Sequence, residues 1–285
     1  MFRNLNTGVI GIRATMLEAL ELAKSNEFDG FDPSLGDAHK LAQDKSTQHV
    51  KGLFQDAGVQ LGGWNLPVNW RGTDAEYYDH LAKLPERAAF AAELGCNRCI
   101  TVIMAWDNNR PFRENWDFHV KRLTPPTEIL NDYGISLAME FIGPHTSRAP
   151  HKYGFLDSID GLMALCAAMG TGNAGLLLDT WHCYTAHASL EDIKKLSKED
   201  VVYVHINDAP AGIETDDQVD NVRALPGETG VIPLAEILRI LKEIGYDGPV
   251  TPEPFSKKLE NLSPEEATRL VSEMLDQVWR EAGLT

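Results

Sequence analysis

Four ionisable residues stand at the ends of short apolar runs in the second half of the chain. The runs are Ser-Leu-Ala-Met-Glu140, Gly-Leu-Leu-Leu-Asp179, Val-Val-Tyr-Val-His205 and Gly-Pro-Val-Thr-Pro-Glu253. Each run has the length and composition of a buried β-strand, so each ionisable side chain stands where a strand leaves the core. Three carboxylates and one imidazole in equivalent positions predict a metal site, provided that the fold brings these strand ends together.

This ligand set is rich in hard oxygen donors, which favours a divalent ion in six-fold coordination over a closed tetrahedral zinc site. Mn²⁺ fits best, and Mg²⁺, Co²⁺ and Zn²⁺ remain alternatives. Four protein ligands would leave two positions for a substrate with neighbouring hydroxyl and carbonyl oxygens. The ion would then polarise the carbonyl and stabilise an enediolate, which is chemistry that sugars require.

Proton transfer between neighbouring carbons also needs an acid and a base beside the substrate. We assign these roles to Glu140 and Glu253, which would stand on opposite sides of it, and we expect Asp179 and His205 to act mainly as ligands. A single polar residue at a strand end is usually only a group exposed to water. Four such residues in consecutive units favour the metal site.

The elements that would position these residues alternate between strand and helix about eight times along the chain. Predicted strands cover residues 8–12, 28–33, 59–65, 98–104, 136–141, 174–179, 201–206 and 249–253. Glycines at 58, 95, 134, 170 and 245 follow the helical stretches, where a left-handed residue commonly ends a helix. Eight units predict an α/β fold, a (β/α)₈ TIM barrel, as a single domain over residues 1–285.

The longest irregular segment, residues 208–230, lies on the rim where barrel enzymes place their sites, so we interpret it as a candidate lid. It contains an acidic cluster of Glu214, Asp216, Asp217 and Asp220. No predicted strand positions these side chains. We therefore expect a solvated face there and not a second metal site.

The composition limits the partners and the location of the protein. The net charge of −16 repels phosphate backbones, so nucleic acid is not an expected partner. No apolar stretch is long enough to span a membrane, and the N-terminal residues lack the pattern of a secretion signal, so we expect a cytoplasmic protein. Cys96 and Cys99 have redox-like spacing without a second pair, and we expect buried thiols.

Taken together in this order, five short motifs resemble a known family. They are Met139-Glu140-Phe141, Leu178-Asp179-Thr180-Trp181-His182, Val204-His205-Ile206-Asn207-Asp208, Leu225-Pro226-Gly227-Glu228 and Pro252-Glu253-Pro254-Phe255. Over essentially the whole chain, the sequence resembles the xylose-isomerase-like barrel superfamily of sugar phosphate isomerases and epimerases. That superfamily also contains ketose 3-epimerases, inosose dehydratases and endonuclease IV.

The resemblance implies that Glu140, Asp179, His205 and Glu253 hold the metal, and that His182 binds the substrate. It also implies an arginine soon after the metal-binding histidine, for which Arg223 is the nearest candidate. Three further rim residues follow from the predicted strand ends and would stack on a sugar ring or bind its hydroxyls. These substrate-binding candidates are Trp64, Asn65 and Trp106.

These observations predict a metal-dependent isomerase or epimerase that acts on a sugar, keto-sugar or sugar phosphate by proton transfer through an enediolate. The closest alternative is a lyase of the inosose-dehydratase type acting on a keto-polyol, because both reactions begin identically. A non-catalytic binding barrel is a third reading, although no ligand is missing. The expected partner is a small carbohydrate, and a homo-oligomer is left open.

Overall fold

The central sheet of the computed structural model, which describes residues 1–284, consists of parallel strands that close into a barrel. The strands are β1 (Phe2–Leu5), β2 (Gly30–Phe31), β3 (Gln60–Leu61), β4 (Trp64–Asn65), β5 (Arg98–Ile103), β6 (Trp106–Asp107), β7 (Ser136–Phe141), β8 (Tyr153–Gly154), β9 (Ala174–Asp179), β10 (Val201–Ile206) and β11 (Pro249–Pro252). All but β6 and β8 belong to this sheet. Those two form a separate antiparallel ribbon on the rim.

Helices connect the strands and surround the sheet. They are α1 (Met16–Ser25), α2 (Leu35–Asp44), α3 (Thr47–Ala57), α4 (Asp74–Leu94), α5 (Phe112–Asp132), α6 (His145–Arg148), α7 (Ile159–Met169), α8 (Thr180–Thr185), α9 (Leu190–Lys194), α10 (Leu234–Glu243) and α11 (Pro264–Glu281). Two 3₁₀ turns, Thr215–Asp217 and Lys257–Leu259, lie in loops. The predicted helix ends are confirmed, because the glycines at 58, 95, 134, 170 and 245 all have positive φ.

The barrel closes because the third strand is split into two short pieces. β3 pairs with β2, whereas β4 pairs with β5, so the third unit lies at both ends of the strand order β3-β2-β1-β11-β10-β9-β7-β5-β4. Gly62 and Gly63 form the break, where the chain leaves one neighbour and joins the other. Counting β3 and β4 as one, eight parallel strands form the ring, which is the predicted TIM barrel.

The predicted strands agree with the structure best in the second half of the chain. The predictions at 136–141, 174–179 and 201–206 are confirmed residue for residue, and those at 98–104 and 249–253 each extend one residue too far. Only two residues of the prediction at 28–33 form a strand. The strand predicted at 8–12 is wrong: Gly11 has positive φ in a turn, and Phe2–Leu5 forms the strand instead.

Alternation along each strand divides the side chains into two layers. Leu176 and Leu178 of β9 belong to the large core cluster that includes the helix faces, whereas Leu177 belongs to a smaller cluster with Ala138 and Tyr203. A parallel barrel buries both faces of its strands, so the smaller cluster is the barrel interior. Residues two positions further along these strands therefore also face inward.

Two expectations from the composition concern the cysteines and the membrane-spanning helices. Cys96 and Cys99 are buried free thiols, as expected, and burial raises the pKa of Cys96 to about 12. Among residues 1–284, no helix is both long and apolar enough to cross a membrane.

Candidate metal centre

Because side chains alternate between the two faces of a strand, the four predicted ligand residues point into the mouth of the barrel. Asp179 stands two residues beyond Leu177 on β9, and His205 stands two residues beyond Tyr203 on β10. In the same way Glu140 follows Ala138 on β7 by two residues. Glu253 follows β11 directly, and its backbone N–H donates to the carbonyl of Ile206 on the neighbouring strand. All four residues thus leave the strands at the carboxyl end of the barrel.

The structure brings these four side chains together. Glu140, Asp179, His205 and Glu253 are all buried, and each offers one ligand atom within 4.8 Å of the other three. Nδ1 of His205 lies 3.0 Å from Oε1 of Glu140 and 3.3 Å from Oε2 of Glu253. No second group of this kind occurs in residues 1–284.

The arrangement fits a divalent ion. Donor atoms on opposite sides of an ion bound at about 2.2 Å lie about 4.4 Å apart, close to the spread of the four ligand atoms. Three carboxylates taken out of water also need cationic partners, because isolated buried charges are strongly unfavourable. An ion held by Glu140, Asp179, His205 and Glu253 would supply such a partner.

Arg223 lies among the predicted ligands. Its Nη1 donates to Oδ2 of Asp179 at 2.8 Å and to Oε2 of Glu253 at 2.9 Å, and its Nη2 donates to Oδ1 of Asp220 at 2.8 Å. The predicted substrate-binding arginine is therefore within the candidate centre, in contact with two of the proposed ligands. It also lies beside His182, whose Nε2 is 3.3 Å from Nη2.

Asp208 fixes the segment that carries this arginine. Its buried carboxylate accepts hydrogen bonds from the backbone N–H groups of Ala209, Thr229, Gly230 and Ile232 at 2.7–3.0 Å. Its own backbone pairs in both directions with Ala224, the neighbour of the arginine. Residues 209–231 are thus closed at their base. Motion of this segment as a lid stays a prediction.

His182 presents one ring nitrogen to the centre. Its Nδ1 lies 3.2 Å from the backbone nitrogen of Gly143 and its Nε2 lies 3.3 Å from Nη2 of Arg223, so a neutral ring can accept from only one of these two donors. Nε2 lies 3.8 Å from Oδ2 of Asp179 and 3.9 Å from Oδ1 of Asp220. A Cβ on Gly143 would lie 2.2 Å from the carbonyl oxygen of His182, so only glycine permits this approach. These contacts hold the ring with Nε2 facing the centre.

Burial and charge shift the pKa values of the ligands in different directions. Burial is the main cause that raises the pKa of Glu140. Burial disfavours the charged forms of Asp179 and His205 as well, but their neighbours outweigh it. Arg223 and nearby histidines hold the pKa of Asp179 well below its usual range, and Glu253 and Glu140 raise that of His205 well above its own. Glu140 and His205 therefore bind a proton more strongly in the centre than the same groups do in water.

Two of the predicted rim residues line a cavity at the same end of the barrel. The cavity has a volume of about 230 Å³, and its polar lining comprises Asn6, Thr7, Asp32, Ser34, Asp37, Trp64 and Asn65. Trp64 is buried, and its indole N–H has no hydrogen-bond partner.

Trp106 has a different environment. It belongs to the β6–β8 ribbon, where its ring stacks on that of His151 at 4.2 Å, and it does not line this cavity. Nothing in the geometry of residues 1–284 joins Trp106 to the four ligands. Its role in substrate binding stays a prediction.

The acidic cluster of the long loop is divided by the fold. Glu214, Asp216 and Asp217 are exposed, and Asp216 pairs with His187 at 2.8 Å, as expected for a solvated face. Asp220 departs from that expectation, because it is an ion-pair partner of Arg223 in the candidate centre. In the sequence, the three-residue spacing of Asp220 and Arg223 is the feature that could have indicated this ion pair. Such spacing has little predictive value in an irregular segment.

Comparisons with known proteins agree with this architecture. Residues 20–278 match the family described as the xylose isomerase-like TIM barrel. An inosose isomerase of Halalkalibacterium halodurans is 27% identical over 277 residues, which cover 93% of this chain and 94% of that protein.

Two solved structures share the fold. A xylose isomerase domain protein from Alicyclobacillus acidocaldarius superposes with a TM-score of 0.89 at 29% identity, covering 99% of both chains. The IolI protein, solved with a bound zinc atom, has a TM-score of 0.79 at 21% identity and covers 98% of both chains. The chain belongs to the xylose isomerase-like TIM barrel family.

Proposed function

We propose that this protein is a divalent-metal-dependent isomerase or epimerase acting on a small keto-sugar or cyclic keto-polyol. The observation that carries the proposal is the buried cluster of Glu140, Asp179, His205 and Glu253 at the carboxyl end of the barrel, with ligand atoms within 4.8 Å of one another. That end is where barrel enzymes place their catalytic groups.

Two of the comparisons support this reading. The relative from H. halodurans, which matches nearly the whole chain, is named an inosose isomerase. The IolI protein of the same fold holds a zinc atom. Mn²⁺ remains our preferred ion on ligand chemistry, with Zn²⁺, Mg²⁺ and Co²⁺ as alternatives.

Each residue of the centre would have its own role in the proposed reaction. A bound ion would supply electrostatic stabilisation of negative charge on the substrate oxygens. Glu140 and Glu253 would remove and return the proton next to the carbonyl, since both reach the centre from strands on either side of β9 and β10. His182 would hydrogen-bond a substrate oxygen through Nε2, and Arg223 would donate to an oxygen on the same side.

The cavity at the same end of the barrel, which none of the four ligand residues lines, favours an uncharged, hydroxyl-bearing substrate. Its charged lining residues are Asp32 and Asp37, and no lysine, arginine or histidine of the described chain lines it. Arg148 and Lys152, the nearby cations after β7, have other contacts: Arg148 pairs with Asp157 at 2.9 Å, and Lys152 lies over the ring of Tyr153. Carboxylates and amides bind hydroxyl groups well, whereas the carboxylates repel a phosphate.

A product analysis tests this function. The purified protein is stripped with a chelator, supplied with Mn²⁺, and incubated with a panel of inososes and ketoses in deuterated water. We expect products of unchanged composition that carry deuterium at the carbon next to the carbonyl, and no turnover without metal. A product lighter by one water would overturn isomerisation in favour of the lyase. Failure to bind any divalent ion would remove the metal-dependent mechanism altogether.

A further inference from the structure

Arg223 competes for the carboxylate oxygens that the proposed metal ion would use. Its Nη1 is 2.8 Å from Oδ2 of Asp179 and 2.9 Å from Oε2 of Glu253, so one N–H₂ group bridges two of the four ligands. The oxygen of Glu253 is also 3.3 Å from Nδ1 of His205. An ion placed between these ligands would therefore lie within a few ångströms of a permanent positive charge.

The charge balance of the centre shows what this arginine changes. Glu140, Asp179, Glu253 and Asp220 contribute four negative charges when ionised, and Arg223 contributes one positive charge, which gives −4 + 1 = −3 with neutral histidines. A divalent ion reduces that sum to −1. Without the guanidinium the same groups carry −4 and attract a divalent ion more strongly, because charges interact strongly in a buried site of low dielectric.

The guanidinium cannot leave the centre easily. Its side chain is only 2% exposed, and it lies 4.8 Å from the ring centre of Phe255 and 5.5 Å from that of Trp181. Phe255 has a φ of 37°, a strained conformation for a residue with a side chain, and such strain persists where the surroundings enforce it. Asp220, on the other side, anchors Nη2 at 2.8 Å.

We propose that Arg223 is a fixed counter-cation of the metal centre, which lowers the affinity of Glu140, Asp179, His205 and Glu253 for divalent ions. The inference rests on the proposed metal-dependent function and adds a role for this arginine besides any contact with substrate. In physical terms, the guanidinium offsets part of the negative charge of the carboxylates, and the ion binds against its field.

The opposite effect is expected if Arg223 only orients the ligands. In that case its removal would let Asp179 and Glu253 separate, and metal binding would weaken because the ligands are no longer preorganised. The two explanations therefore predict changes of opposite sign in one measurable quantity, the dissociation constant for the ion.

The test is calorimetric titration of chelator-stripped protein with Mn²⁺, which requires no substrate. We compare the wild type with Arg223→Gln, which removes the charge, and Arg223→Lys, which keeps it. Arg122→Gln is the matched control, since Arg122 is another buried arginine in an ion pair, with Asp74, outside the centre. We expect Arg223→Gln to bind Mn²⁺ at least about tenfold more tightly, and both other variants to bind as the wild type does.

Equal or weaker binding by a folded Arg223→Gln variant overturns the proposal, and circular dichroism establishes folding. If Arg223→Gln does not fold, Arg223→Lys decides: it keeps the charge but lacks the second nitrogen that Asp220 anchors, so wild-type affinity supports the proposal and any other affinity contradicts it. His205→Gln identifies the site, because it must weaken Mn²⁺ binding. If neither the wild type nor Arg223→Gln binds any ion, the proposed function fails first, and the two failures are thereby distinguished.

Discussion

Glu140 and Glu253 are the same residue type in different surroundings. Glu253 faces both Arg223 and His205, whereas Glu140 has His205 as its only ion-pair partner among the described residues. Burial raises the pKa of Glu140, and pairs of carboxyl groups with unlike environments commonly divide acid and base roles. Within the proposed mechanism, Glu140 would therefore act as the proton donor and Glu253 as the acceptor.

We expect Glu140→Gln and Glu253→Gln each to lower kcat by about 10²–10⁴-fold, because an amide cannot transfer the proton. The fold should survive, since glutamine has the same shape. Steady-state rates on an interconverted ketose measure the effect, with circular dichroism as the check on folding. Glu236→Gln, on the exposed side of α10, is the matched control and should leave the rate unchanged. A near-normal rate in either site variant would refute the acid–base assignment.

The residues of the centre differ in how far the sequence predicts them. Glu140, Asp179, His205 and Glu253 were predicted because each ends an apolar run, so strand parity and the barrel rule determine where the side chain points. Asp220 and Asp208 were not, because each acts through contacts made by an irregular loop. The position of a side chain in such a loop depends on tertiary hydrogen bonds that have no period in the sequence.

At the scale of elements, the segment from Asp208 to Gly230 owes its shape to one carboxylate. Asp208 accepts four backbone N–H groups, and no cation is nearby in the described structure. Asparagine in its place would present an N–H₂ group to two of these donors. Each buried donor left unpaired costs about 1–3 kcal/mol, so the loop that holds Arg223 should loosen.

We expect Asp208→Asn to lower kcat/KM through this loosening and to add little when Arg223 is already glutamine. A double-mutant cycle on kcat/KM measures the coupling between the two positions. Asp200→Asn is the control, because Asp200 caps a turn just before β10, at the opposite end of that strand. Simple additivity of the two changes would show that Asp208 acts independently of the arginine.

Helix α5 carries a buried histidine that makes stability depend on pH. Burial, assisted by Arg71 and Arg110, lowers the pKa of His119 to about 4, and the ring packs against Trp70 and Phe155. Because the folded pKa lies below that of the unfolded chain, near 6.5, protonation favours unfolding. Stability from this group is therefore complete above about pH 6.5 and is lost as the pH falls toward 4.

His119→Gln should remove this contribution, which amounts to about 3 kcal/mol between pH 6.5 and 4. Urea unfolding at several pH values gives the free energy of unfolding. The contribution of His119 is the difference between variant and wild type in the slope of this free energy against pH. His49→Gln, an exposed histidine of α3, serves as the control and should keep the wild-type slope. Parallel pH profiles for wild type and His119→Gln would exclude the histidine as the source.

Strands were predictable where they are long and apolar. β7, β9 and β10 each have six residues with an almost unbroken apolar run, and their bounds follow from it. β1 has only four residues, one of which is the inward-facing Asn4, so its apolar signal was weaker than that of the following turn. The split third strand was predicted as continuous, because two glycines within a strand look the same whether the strand bends or changes partners.

At the scale of the whole molecule, the split of the third strand into β3 and β4 allows the barrel to close. At the closing point, Nδ2 of Asn4 lies within hydrogen-bond distance, 2.9–3.0 Å, of Asp32, Tyr203 and Thr251, and the backbone N–H of Gly63 donates to Asp32 at 2.7 Å. Asn4, Tyr203 and Thr251 come from three adjacent strands, and Asp32 directly follows the fourth. This buried polar network therefore joins both ends of the strand order directly below the candidate metal centre. The barrel can close only if the backbone at Gly62 passes close to it.

Gly62→Ala should consequently destabilise the whole protein, since the added Cβ would lie 2.3 Å from both Oδ1 of Asn4 and Oδ1 of Asp32. Relieving such an overlap in a packed interior costs about 1–3 kcal/mol, and the network below the centre must shift with it. Gly52→Ala in α3 is the matched control: nothing lies within 4 Å of its Cβ, and alanine favours the helix by about 0.5–1 kcal/mol. Urea unfolding should therefore show shifts of opposite sign for the same methyl group. A loss of stability at Gly52, or none at Gly62, would mean that closure does not depend on this close approach.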